Sequence, residues 1–338
     1  MKSYSHYVGI DCSKDSFAAA IFTGMKAPFE IKEKVANSTS GFVSFTRWLN
    51  KRQAQVDTTR ICIEATGVYS EALCYYLTSA GYHVTLASPQ KVKRAFEQTH
   101  KSDPVDAKQI AEYAYRFNDK LEDWQPRSDI LEEINNLLFV REQLVKQKTA
   151  LKNTQHALKR KRVQARLANK VCRENIARLD DQIKELETEM QNQINTDSNF
   201  AHIVDLLDSV PGIGLLLALN LLVETNAFTN IASYATLAAY IGVCPLMHQS
   251  GSSIRKKSKS RGRGPERIRK LLHLAARSLC GSKPKYKAYK LRKQQQGKIP
   301  KVVFNNVGNK ILRIACAVIK EQKPFDPNYV SINPRLTK

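Results

Sequence analysis

The sequence predicts an α/β domain with a mixed sheet at the N-terminus, then long helices, then a mostly α-helical C-terminal domain. Three observations predict this order. Strand-like runs alternate with helical spacing over the first hundred residues, residues 128–195 contain no Gly or Pro, and positive charge concentrates in the last quarter of the chain. A chain of 338 residues has room for two or three domains. We expect domain boundaries at 1–127, 128–197 and 198–338.

In the first domain, apolar residues repeat with the spacing of a strand in some segments and with the spacing of a helix in others. Three apolar runs come first, and a helix, a buried strand, a second helix and a last strand follow, which is typical of an α/β fold with a mixed sheet. The predicted strands are residues 4–12, 16–22, 29–36, 59–67 and 83–89, and the predicted helices are residues 41–52 and 70–81, the latter closed by Gly81.

The middle segment repeats Leu and Ile at three- and four-residue spacing with charges between them. This spacing predicts long helices that form a coiled coil or a helical hairpin. A spacer role and a partner-binding role both fit such helices. A local basic surface favours binding, and we expect it to contact RNA. It consists of Lys159, Arg160, Lys161, Arg162, Arg166, Lys170 and Arg173, with Arg160 and Arg162 as the candidate nucleic-acid contacts.

The C-terminal domain opens with LLDSVPGIGLLLALNLLVET at residues 206–225. A Pro-Gly-x-Gly turn between apolar helical segments predicts a helix–hairpin–helix-like element, whose backbone N–H groups can bind a phosphate. A plain tight turn in a helical core is the alternative. The segment from Gly251 to Gly264 is polar, basic and rich in Gly and Ser, so we expect a loop there, and a helix from Pro265.

The charge distribution indicates a polyanionic partner. The chain has 54 Lys and Arg against 31 Asp and Glu, a net charge of +23. Residues 250–338 hold 24 of these basic residues and three acidic ones, whereas residues 1–249 hold 30 and 28. Because the basic residues alternate with apolar segments, they do not form a simple charged tail, and nucleic acid is the expected partner.

Seven cysteines, an odd number without metal-clip spacing, indicate neither a disulfide framework nor a zinc site. The N-terminal MKSYSHYVGID has no apolar signal core, and the longest apolar run, residues 213–223, is too short to span a bilayer. We expect reduced thiols and a soluble protein of the cytoplasm that is not associated with a membrane.

Four acidic residues carry the predicted chemistry of the first domain. Asp11 ends the first strand, and Glu64 ends a later buried strand. Asp103 and Asp106 flank a helix start at Pro104, and their spacing places both on one helix face. Buried acids need a partner, and a divalent metal serves several at once. Mg²⁺ or Mn²⁺ bound there would support phosphoryl transfer, although Asp103 alone also fits a helix N-cap.

The sequence resembles the DEDD transposases of one insertion-sequence family, the bridge-RNA-guided serine recombinases. Five motifs in order carry the resemblance over nearly the whole chain: YVGIDCSKDSF (7–17), ICIEATGVY (61–69), KSDPVDAK (101–108), DSVPGIG (208–214) and YIGVCPLMHQSG (240–251). The resemblance implies an N-terminal RuvC-like domain of the ribonuclease-H type and a C-terminal transposase domain. It implies that Asp11, Glu64, Asp103 and Asp106 are the DEDD set and that Ser250 is the nucleophile. It also implies a structured non-coding guide RNA that pairs with donor and target DNA, and a location in the bacterial cytoplasm in association with the nucleoid.

Ser250 can also be judged by its surroundings. A serine that attacks a phosphodiester needs activation and positive charge nearby, and Ser250 lies between a predicted Cys244-Pro245 turn and a cationic segment. By position alone Ser252 and Ser253 are equal rivals. The expected phosphate contacts of the segment are Arg255, Lys256, Lys257, Lys259, Arg261 and Arg263. Activation by metal from the first domain would require the domains to meet, and we expect a dimer or tetramer.

Two other functions remain open from the residues alone. In a metal-dependent DNA junction nuclease, activated water would attack the strand and Ser250 would be only a loop residue. In a nucleic-acid-binding protein without catalysis, the four acids would serve structure. The second alternative is weaker, because acids repel phosphate unless a cation bridges them.

Overall fold

The computed structural model describes residues 4–25, 27–65, 67–96, 103–231, 233–250, 254–260 and 264–328, and only the backbone of residues 103, 245–250 and 254–260. The chain forms two compact units, Met1–Pro126 and Arg127–Lys338. The further division of the second unit at residues 197 and 198 stays a prediction.

The first unit alternates strands and helices in the predicted order. Its strands are β1 (His6–Cys12), β2 (Ser16–Phe22), β3 (Glu30–Ala36), β4 (Thr59–Glu64) and β5 (His83–Ala87), and its helices are α1 (Thr39–Asn50), α2 (Glu71–Ser79), α3 (Pro89–Ala95) and α4 (Asp103–Arg116). Short 3₁₀ turns occupy Val56–Thr58, Gly67–Ser70 and Asn118–Lys120. The N-terminus of α1 is capped by Ser38, whose hydroxyl accepts a hydrogen bond from the Gly41 N–H at 3.4 Å.

The five strands form one mixed sheet in the order β3-β2-β1-β4-β5. Strands β1, β2 and β3 follow one another through short connections and pair antiparallel. Strands β4 and β5 each follow a helix and pair parallel, β4 with β1 and β5 with β4. A helix between strands allows the parallel crossover, whereas a short turn permits only antiparallel pairing. The predicted mixed sheet is therefore confirmed.

Each face of this sheet has its own apolar core. On one face, Val8, Ile10 and Phe17 pack with Phe45 and Leu49 of α1. On the other face lie Tyr7, Ala18, Ala20 and Cys62, which pack with α4 residues that include Ala107, Ile110 and Ala111. Successive side chains of a strand point to opposite faces. The uninterrupted apolar runs in β1, β2 and β4 are thus explained by a sheet that is covered on both faces.

The outermost strands differ in what lies beside them. Strand β3 has the sequence EIKEKVA, with Lys34 at a positive φ of 50° and a register shift against β2. Beside β5 runs the segment after α4, where the Trp124 N–H donates to the Val84 carbonyl at 2.7 Å. Asp123 of this segment accepts hydrogen bonds from Arg60 at 2.5 Å and from His83 at 2.7 Å. These contacts hold the segment against the sheet.

The second unit is mostly helical. Its helices are α5 (Asp129–Leu158), α6 (Arg166–Asn195), α7 (Ser198–Asp208), α8 (Leu215–Glu224), α9 (Tyr234–Ile241), α10 (Glu266–Ser282), α11 (Pro284–Gln295) and α12 (Pro300–Glu321), and its strands are β6 (Pro245–Ser250) and β7 (Ile254–Ser260). Helices α7 to α10 and α12 enclose one apolar core, to which the base of the α5–α6 pair also contributes.

Helices α5 and α6 form an antiparallel helical hairpin. Arg141 pairs with Glu187 at 2.6 Å, and Lys148 pairs with Asp180 at 2.5 Å. The partner on α6 moves back along the chain as the residue on α5 moves forward, which fixes the antiparallel direction. A 30-residue helix is about 45 Å long. The hairpin is one of the two predicted arrangements, and coiled-coil packing within it stays a prediction.

Helix α12 is the only one in the described residues that is long and apolar enough to cross a membrane by length and composition. Its apolar residues, including Val307, Ile311, Leu312 and Ala315, belong to the core of the second unit. Because a core helix of a soluble protein passes the same test of length and composition, α12 is weak evidence for a membrane span.

Two sequence predictions are wrong. The basic segment from Gly251 to Gly264 is not a loop throughout, because Ile254–Ser260 forms β7 and pairs antiparallel with β6. Pro245 opens β6, so Cys244-Pro245 is the entry to a strand and not a turn. Ser250 pairs with Ile254, and β6 and β7 together are called the β6–β7 hairpin below. The sequence of β7 consists mainly of Lys, Arg and Ser. It therefore lacks the alternation of apolar and polar residues by which strands are recognised.

Candidate active site

Asp11 and Glu64 lie side by side at one end of the sheet. Strands β1 and β4 are parallel neighbours, and their register ends with Ile10 opposite Ile63. Asp11 and Glu64 are the next residues of the two strands, and neighbouring strands are about 4.8 Å apart. Both side chains are half-buried and have interaction partners. The two strands thus bring together two acids that are 53 positions apart.

Both acids face the side of the sheet that α4 covers. Gly9 and Cys62 face α4, since a Cβ on Gly9 would lie 2.2 Å from the Ala107 carbonyl oxygen and Cys62 packs in the α4 core. Asp11 and Glu64 each follow two residues later, on the same face. The missing side chain of Gly9 lets the backbone of α4 lie directly on β1.

Helix α4 runs antiparallel to β1, which places its first turn near Asp11. Tyr115, late in α4, contacts the ring of Tyr7, early in β1, with ring centroids 5.3 Å apart. Ala107 and Ala111 contact Gly9 in the middle of the strand. The start of α4, with Asp106 and the backbone of Asp103, therefore lies toward the end of β1 that carries Asp11. The side chain of Asp103 lies outside the described residues.

The described side chains do not form a finished metal site. Among them, no three Asp, Glu, His or Cys groups lie close enough together to hold one ion. The sheet and α4 do direct three carboxylates toward one region, and carboxylate oxygens are the ligands that Mg²⁺ prefers. The donor set therefore fits a hard divalent cation in chemistry and in backbone placement.

Asn37 connects the loops that follow the two acidic strands. Its Nδ2 donates to the Ser13 carbonyl at 3.0 Å and to the Tyr69 carbonyl at 2.8 Å. Ser13 comes two residues after Asp11, and Tyr69 comes five residues after Glu64. Sequence reasoning missed this residue, because a single asparagine after a strand carries no pattern that identifies a partner 32 positions away.

The buried cysteines next to the acids are poor nucleophiles. Burial, with smaller contributions from the charges of Cys74 and Asp11, raises the pKa of the Cys12 thiol to about 12. Burial likewise raises the pKa of Cys62 to about 12, with Arg60 opposing this and Glu64 adding to it. The thiolate is the reactive form of cysteine. Both side chains are therefore neutral packing groups at physiological pH.

Ser250 is the last residue of β6 in the second unit. Of the expected phosphate contacts, Arg255, Lys256, Lys257 and Lys259 lie on β7, whose side chains are not described, and Arg261 and Arg263 lie outside the described residues. The roles of all seven residues stay predictions. The backbone does establish that Ser250 and the first four cations belong to one hairpin.

Arg160 and Arg162 lie in the connection between α5 and α6 and are exposed. The neighbouring cations, such as Lys161 and Arg166, are exposed as well. A cluster of exposed cations at the tip of a helical hairpin can meet a phosphate backbone without rearrangement of the core. The contact with RNA remains a prediction.

The Pro-Gly-x-Gly turn joins α7 to α8, as predicted. Gly212 has a φ of +95°, and a Cβ there would lie 2.8 Å from Cδ1 of Leu279 on α10. The positive φ favours glycine at this position, and the Leu279 side chain leaves little room for a Cβ. Gly214, the N-cap of α8, has open space around its Cα. Phosphate binding by this turn stays a prediction.

Comparison with known proteins identifies similar chains. A family profile of transposases, of the DEDD type of IS110, matches residues 8–160, and a profile described as transposase IS116/IS110/IS902 family matches residues 204–291. Pilin gene-inverting proteins of Moraxella bovis and Moraxella lacunata are each 30% identical over 331 residues, which is 95% of this chain and 97% of theirs. The transposase for insertion sequence element IS1111A of Coxiella burnetii is 27% identical over 71% of this chain and 72% of its own.

Proposed function

Because the chain belongs to the IS116/IS110/IS902 family of transposases, we propose that it cuts and rejoins DNA through a covalent phosphoserine intermediate, guided by a structured non-coding RNA. Enzymes of this family are transposases and recombinases that act on DNA. The structural observation that supports metal-dependent DNA cleavage is the placement of Asp11 and Glu64 on adjacent strands, next to the start of α4.

The first unit is proposed as the metal-dependent part of the enzyme. Membership of the DEDD transposases implies a RuvC-like fold for it, and its mixed five-stranded sheet agrees with that fold. Asp11, Glu64, Asp103 and Asp106 would hold Mg²⁺ or Mn²⁺, which when bound supplies positive charge for phosphoryl transfer. The carboxylates themselves fix where that charge lies, and Asn37 holds together the loops beyond them.

The serine chemistry is proposed for the second unit. The Ser250 Oγ attacks the phosphorus of a DNA phosphodiester and loses its proton, while the bond from phosphorus to one sugar oxygen breaks and that oxygen is protonated. A sugar hydroxyl of another strand end then attacks the same phosphorus. Ser250 leaves with a proton, and the new phosphodiester is complete. Positive charge on β7 lowers the energy of the phosphorane-like transition state.

The guide RNA is proposed to lie against the exposed cations around Arg160 and Arg162, and the DNA against the basic hairpin. Charge on a described surface supports the first assignment, since the cations at the tip of the α5–α6 hairpin are accessible. Reversing Arg160, Lys161 and Arg162 to Glu should weaken RNA binding at least tenfold. Unchanged RNA affinity would contradict this assignment.

A second candidate function is inversion of a DNA segment between two sites. The similarity to the two pilin gene-inverting proteins covers nearly the whole chain, more than the similarity to the IS1111A transposase. A plasmid with two inverted sites distinguishes the outcomes. Segment reversal detected by sequencing the junctions would support inversion, and insertion at unrelated loci would support transposition.

The decisive experiment tests the covalent intermediate. The protein is incubated with its RNA, Mg²⁺ and DNA, quenched in denaturant and digested, and we expect mass spectrometry to find a nucleotide linked to Ser250. Ser250→Ala should abolish the adduct and recombination while DNA and RNA affinity remain. Ser252→Ala and Ser253→Ala are the matched controls, and both should retain the adduct.

Three outcomes would change the proposal. An adduct on Ser252 or Ser253 keeps the mechanism and replaces the residue. Cleavage by Ser250→Ala without any adduct indicates attack by water, which is the junction nuclease. Full cleavage in chelator, or full activity of two variants among Asp11→Asn, Glu64→Gln and Asp106→Asn, would contradict the metal-dependent step.

A further inference from the structure

The two ends of the β6–β7 hairpin leave the helical core at the same place. The chain enters the hairpin after Ile241, at the end of α9, and returns at Gly264, just before α10. Gly264 has a φ of +104°, and a Cβ there would lie 2.0 Å from the Tyr240 carbonyl oxygen. Only glycine permits this approach, because it has no Cβ and adopts positive φ readily. The entering and leaving segments are thus in backbone contact.

Arg269 joins these two segments. Its Nη1 donates to the Ile241 carbonyl at 3.1 Å and to the Gly264 carbonyl at 2.6 Å. The residue lies in the first turn of α10 and is half-buried. A guanidinium offers several donors in a rigid plane, which suits it to bridge two fixed acceptors. One nitrogen therefore ties the entry of the hairpin to its exit.

Two asparagines of α12 also bind the segment that enters the hairpin. Asn305 Nδ2 and Asn309 Nδ2 donate to the Val243 carbonyl, at 3.1 and 3.2 Å. The Tyr234 hydroxyl donates to Oδ1 of Asn309 at 2.9 Å, which fixes the orientation of that amide. Tyr234 is in turn covered by the Arg313 guanidinium, 4.8 Å from the ring centroid.

We propose that Arg269, together with Asn305 and Asn309, positions the hairpin that carries Ser250. The core of the second unit forms through apolar contacts that do not involve these three side chains. Their polar groups bond to the carbonyls of the residues that flank the hairpin, so they set the direction in which it leaves the core. The proposal rests on the proposed function, because the direction matters for catalysis only if Ser250 attacks the phosphodiester.

The charge of Arg269 invites a simpler interpretation as a phosphate contact. The geometry favours a positioning role instead, since the Nη1 nitrogen already donates to two backbone carbonyls. Lys270, the next residue, is exposed and offers a matched comparison. A phosphate contact changes the salt dependence of binding by about 0.9 in logarithmic slope. A positioning residue changes the reaction of bound DNA instead.

The experiment compares Arg269→Gln, Arg269→Lys and Lys270→Gln in the full chain with RNA, Mg²⁺ and DNA. Three quantities are measured: the single-turnover rate of adduct formation at saturating DNA, the salt slope of DNA affinity, and hydrogen exchange of peptides that cover residues 245–260. Displacement of a reacting group by about 1 Å can slow a reaction roughly 100-fold. We expect Arg269→Gln to slow the reaction 10- to 100-fold, with unchanged affinity and salt slope and faster exchange in the hairpin.

The other two variants should behave differently. Arg269→Lys should recover part of the rate, because a single ammonium nitrogen can also donate to both carbonyls. Lys270→Gln should leave the rate at saturation and the hairpin exchange as in the unchanged protein. If Arg269→Gln lowers the melting temperature of the whole protein, Asn305→Ala tests the same idea, because Asn309 still donates to Val243.

The outcomes are separable from those of the proposed function. An adduct that forms at the normal rate in Arg269→Gln, or a slower reaction explained entirely by weaker binding, would overturn the positioning role. If the unchanged protein forms no serine adduct, the proposed nucleophile is wrong. Hydrogen exchange then still decides whether Arg269 holds the hairpin, and unchanged exchange in Arg269→Gln would overturn that as well.

Discussion

Gly9 sets the distance between β1 and α4. It therefore also sets how far Asp106 lies from the end of the sheet that carries Asp11 and Glu64. The position of a Cβ on this residue is already occupied, by the Ala107 carbonyl oxygen and the Ala111 nitrogen, both 2.2 Å away. Backbone atoms cannot rotate away as a flexible side chain can. Any larger residue must therefore displace α4 as a whole.

We predict that Gly9→Ala destabilises the first unit and inactivates the enzyme. Inserting a methyl group into a tightly packed site costs about 1–3 kcal/mol, and more where backbone must shift. Chemical denaturation measures the free energy of unfolding, and a cleavage assay measures activity. Gly281→Ala is the matched control, because a Cβ there meets nothing within 4 Å. Equal stability of the two variants would contradict the close approach of α4.

Three thiols of the first unit resist ionisation because they are buried. The pKa of each of Cys12, Cys62 and Cys74 is raised to about 12, from an ordinary value of 9.0. Between these values the thiols of the unfolded chain lose their protons while those of the folded chain keep them. Stability is thus fully present below about pH 9 and falls as the pH rises toward 12.

We predict that the free energy of unfolding decreases between pH 9 and 11 by up to about 1.4 kcal/mol per pH unit for each thiol. Urea titrations at several pH values measure this decrease. In Cys62→Ala the free energy of unfolding should fall less steeply with pH than in the unchanged protein. Lysines titrate equally in both proteins, so the difference between the two slopes belongs to the Cys62 thiol. An identical slope in both proteins would mean that Cys62 ionises equally in the folded and unfolded chain.

Functional residues that belong to a local sequence pattern could be identified from the sequence. Residues whose role depends on contacts with distant parts of the chain could not. Asp11 and Glu64 end apolar strands, so the sequence identifies them. Asn37 and Arg269 bond to backbone carbonyls of other elements, and backbone acceptors have no sequence signature. The choice of Ser250 over Ser252 and Ser253 came from the family resemblance, because all three have the same local composition.

At the scale of elements, cross-helix ion pairs of moderate exposure help to set the register of the α5–α6 hairpin. The side chains of Arg141 and Glu187 are 21% and 36% exposed, so water screens their attraction only in part. Lys148 lowers the pKa of Asp180 through a hydrogen bond to its carboxylate. Such pairs contribute little to stability, but they penalise alternative registers of the two helices.

We predict that Glu187→Arg destabilises the second unit by about 0.5–1 kcal/mol and that Arg141→Glu added to it restores most of the stability. The single variant places two cations opposite each other, and the double variant re-forms the pair in reverse. Thermal denaturation of the four proteins in this cycle measures the coupling. The absence of any recovery would contradict the antiparallel register described above.

Helix and strand boundaries in the first unit follow the sequence closely, whereas β7 does not. Strands β1, β2 and β4 consist of apolar runs that end at turns, and such runs are recognisable on their own. Strand β7 is IRKKSKS, and its strand conformation comes from pairing with β6. Long-range pairing of this kind overrides local propensity.

At the scale of the whole molecule, charge is distributed unevenly between the two ends of the chain. The last 89 residues carry nearly all of the net +23. Nucleic-acid affinity should therefore depend on salt mainly through the second unit. The first unit, close to neutral, has carboxylates where a polyanion would be repelled without a cation.

We predict that replacing Arg255, Lys256, Lys257 and Lys259 by Gln weakens DNA affinity with little change in sequence preference. The logarithmic salt slope should fall by about 0.9 for each phosphate that the variant no longer neutralises. The control replaces the exposed Lys14, Lys51, Lys91 and Lys93 of the first unit, which removes the same charge. Equal slopes in the two variants would show that the hairpin has no particular role in binding phosphate.

The outermost strands of the five-stranded sheet have a consequence for how copies of this chain meet. A bare strand edge is a template for pairing with another molecule, and proteins block it with charge, bulges or covering segments. Strand β3 presents Glu30, Lys32 and Glu33 beside an irregular register, and β5 is partly covered by the Trp124 segment. Edge-to-edge association is therefore disfavoured on both sides of the sheet. Copies of this chain that associate must therefore do so elsewhere than at these two edges, and partly unfolded copies gain little by aggregating through this sheet.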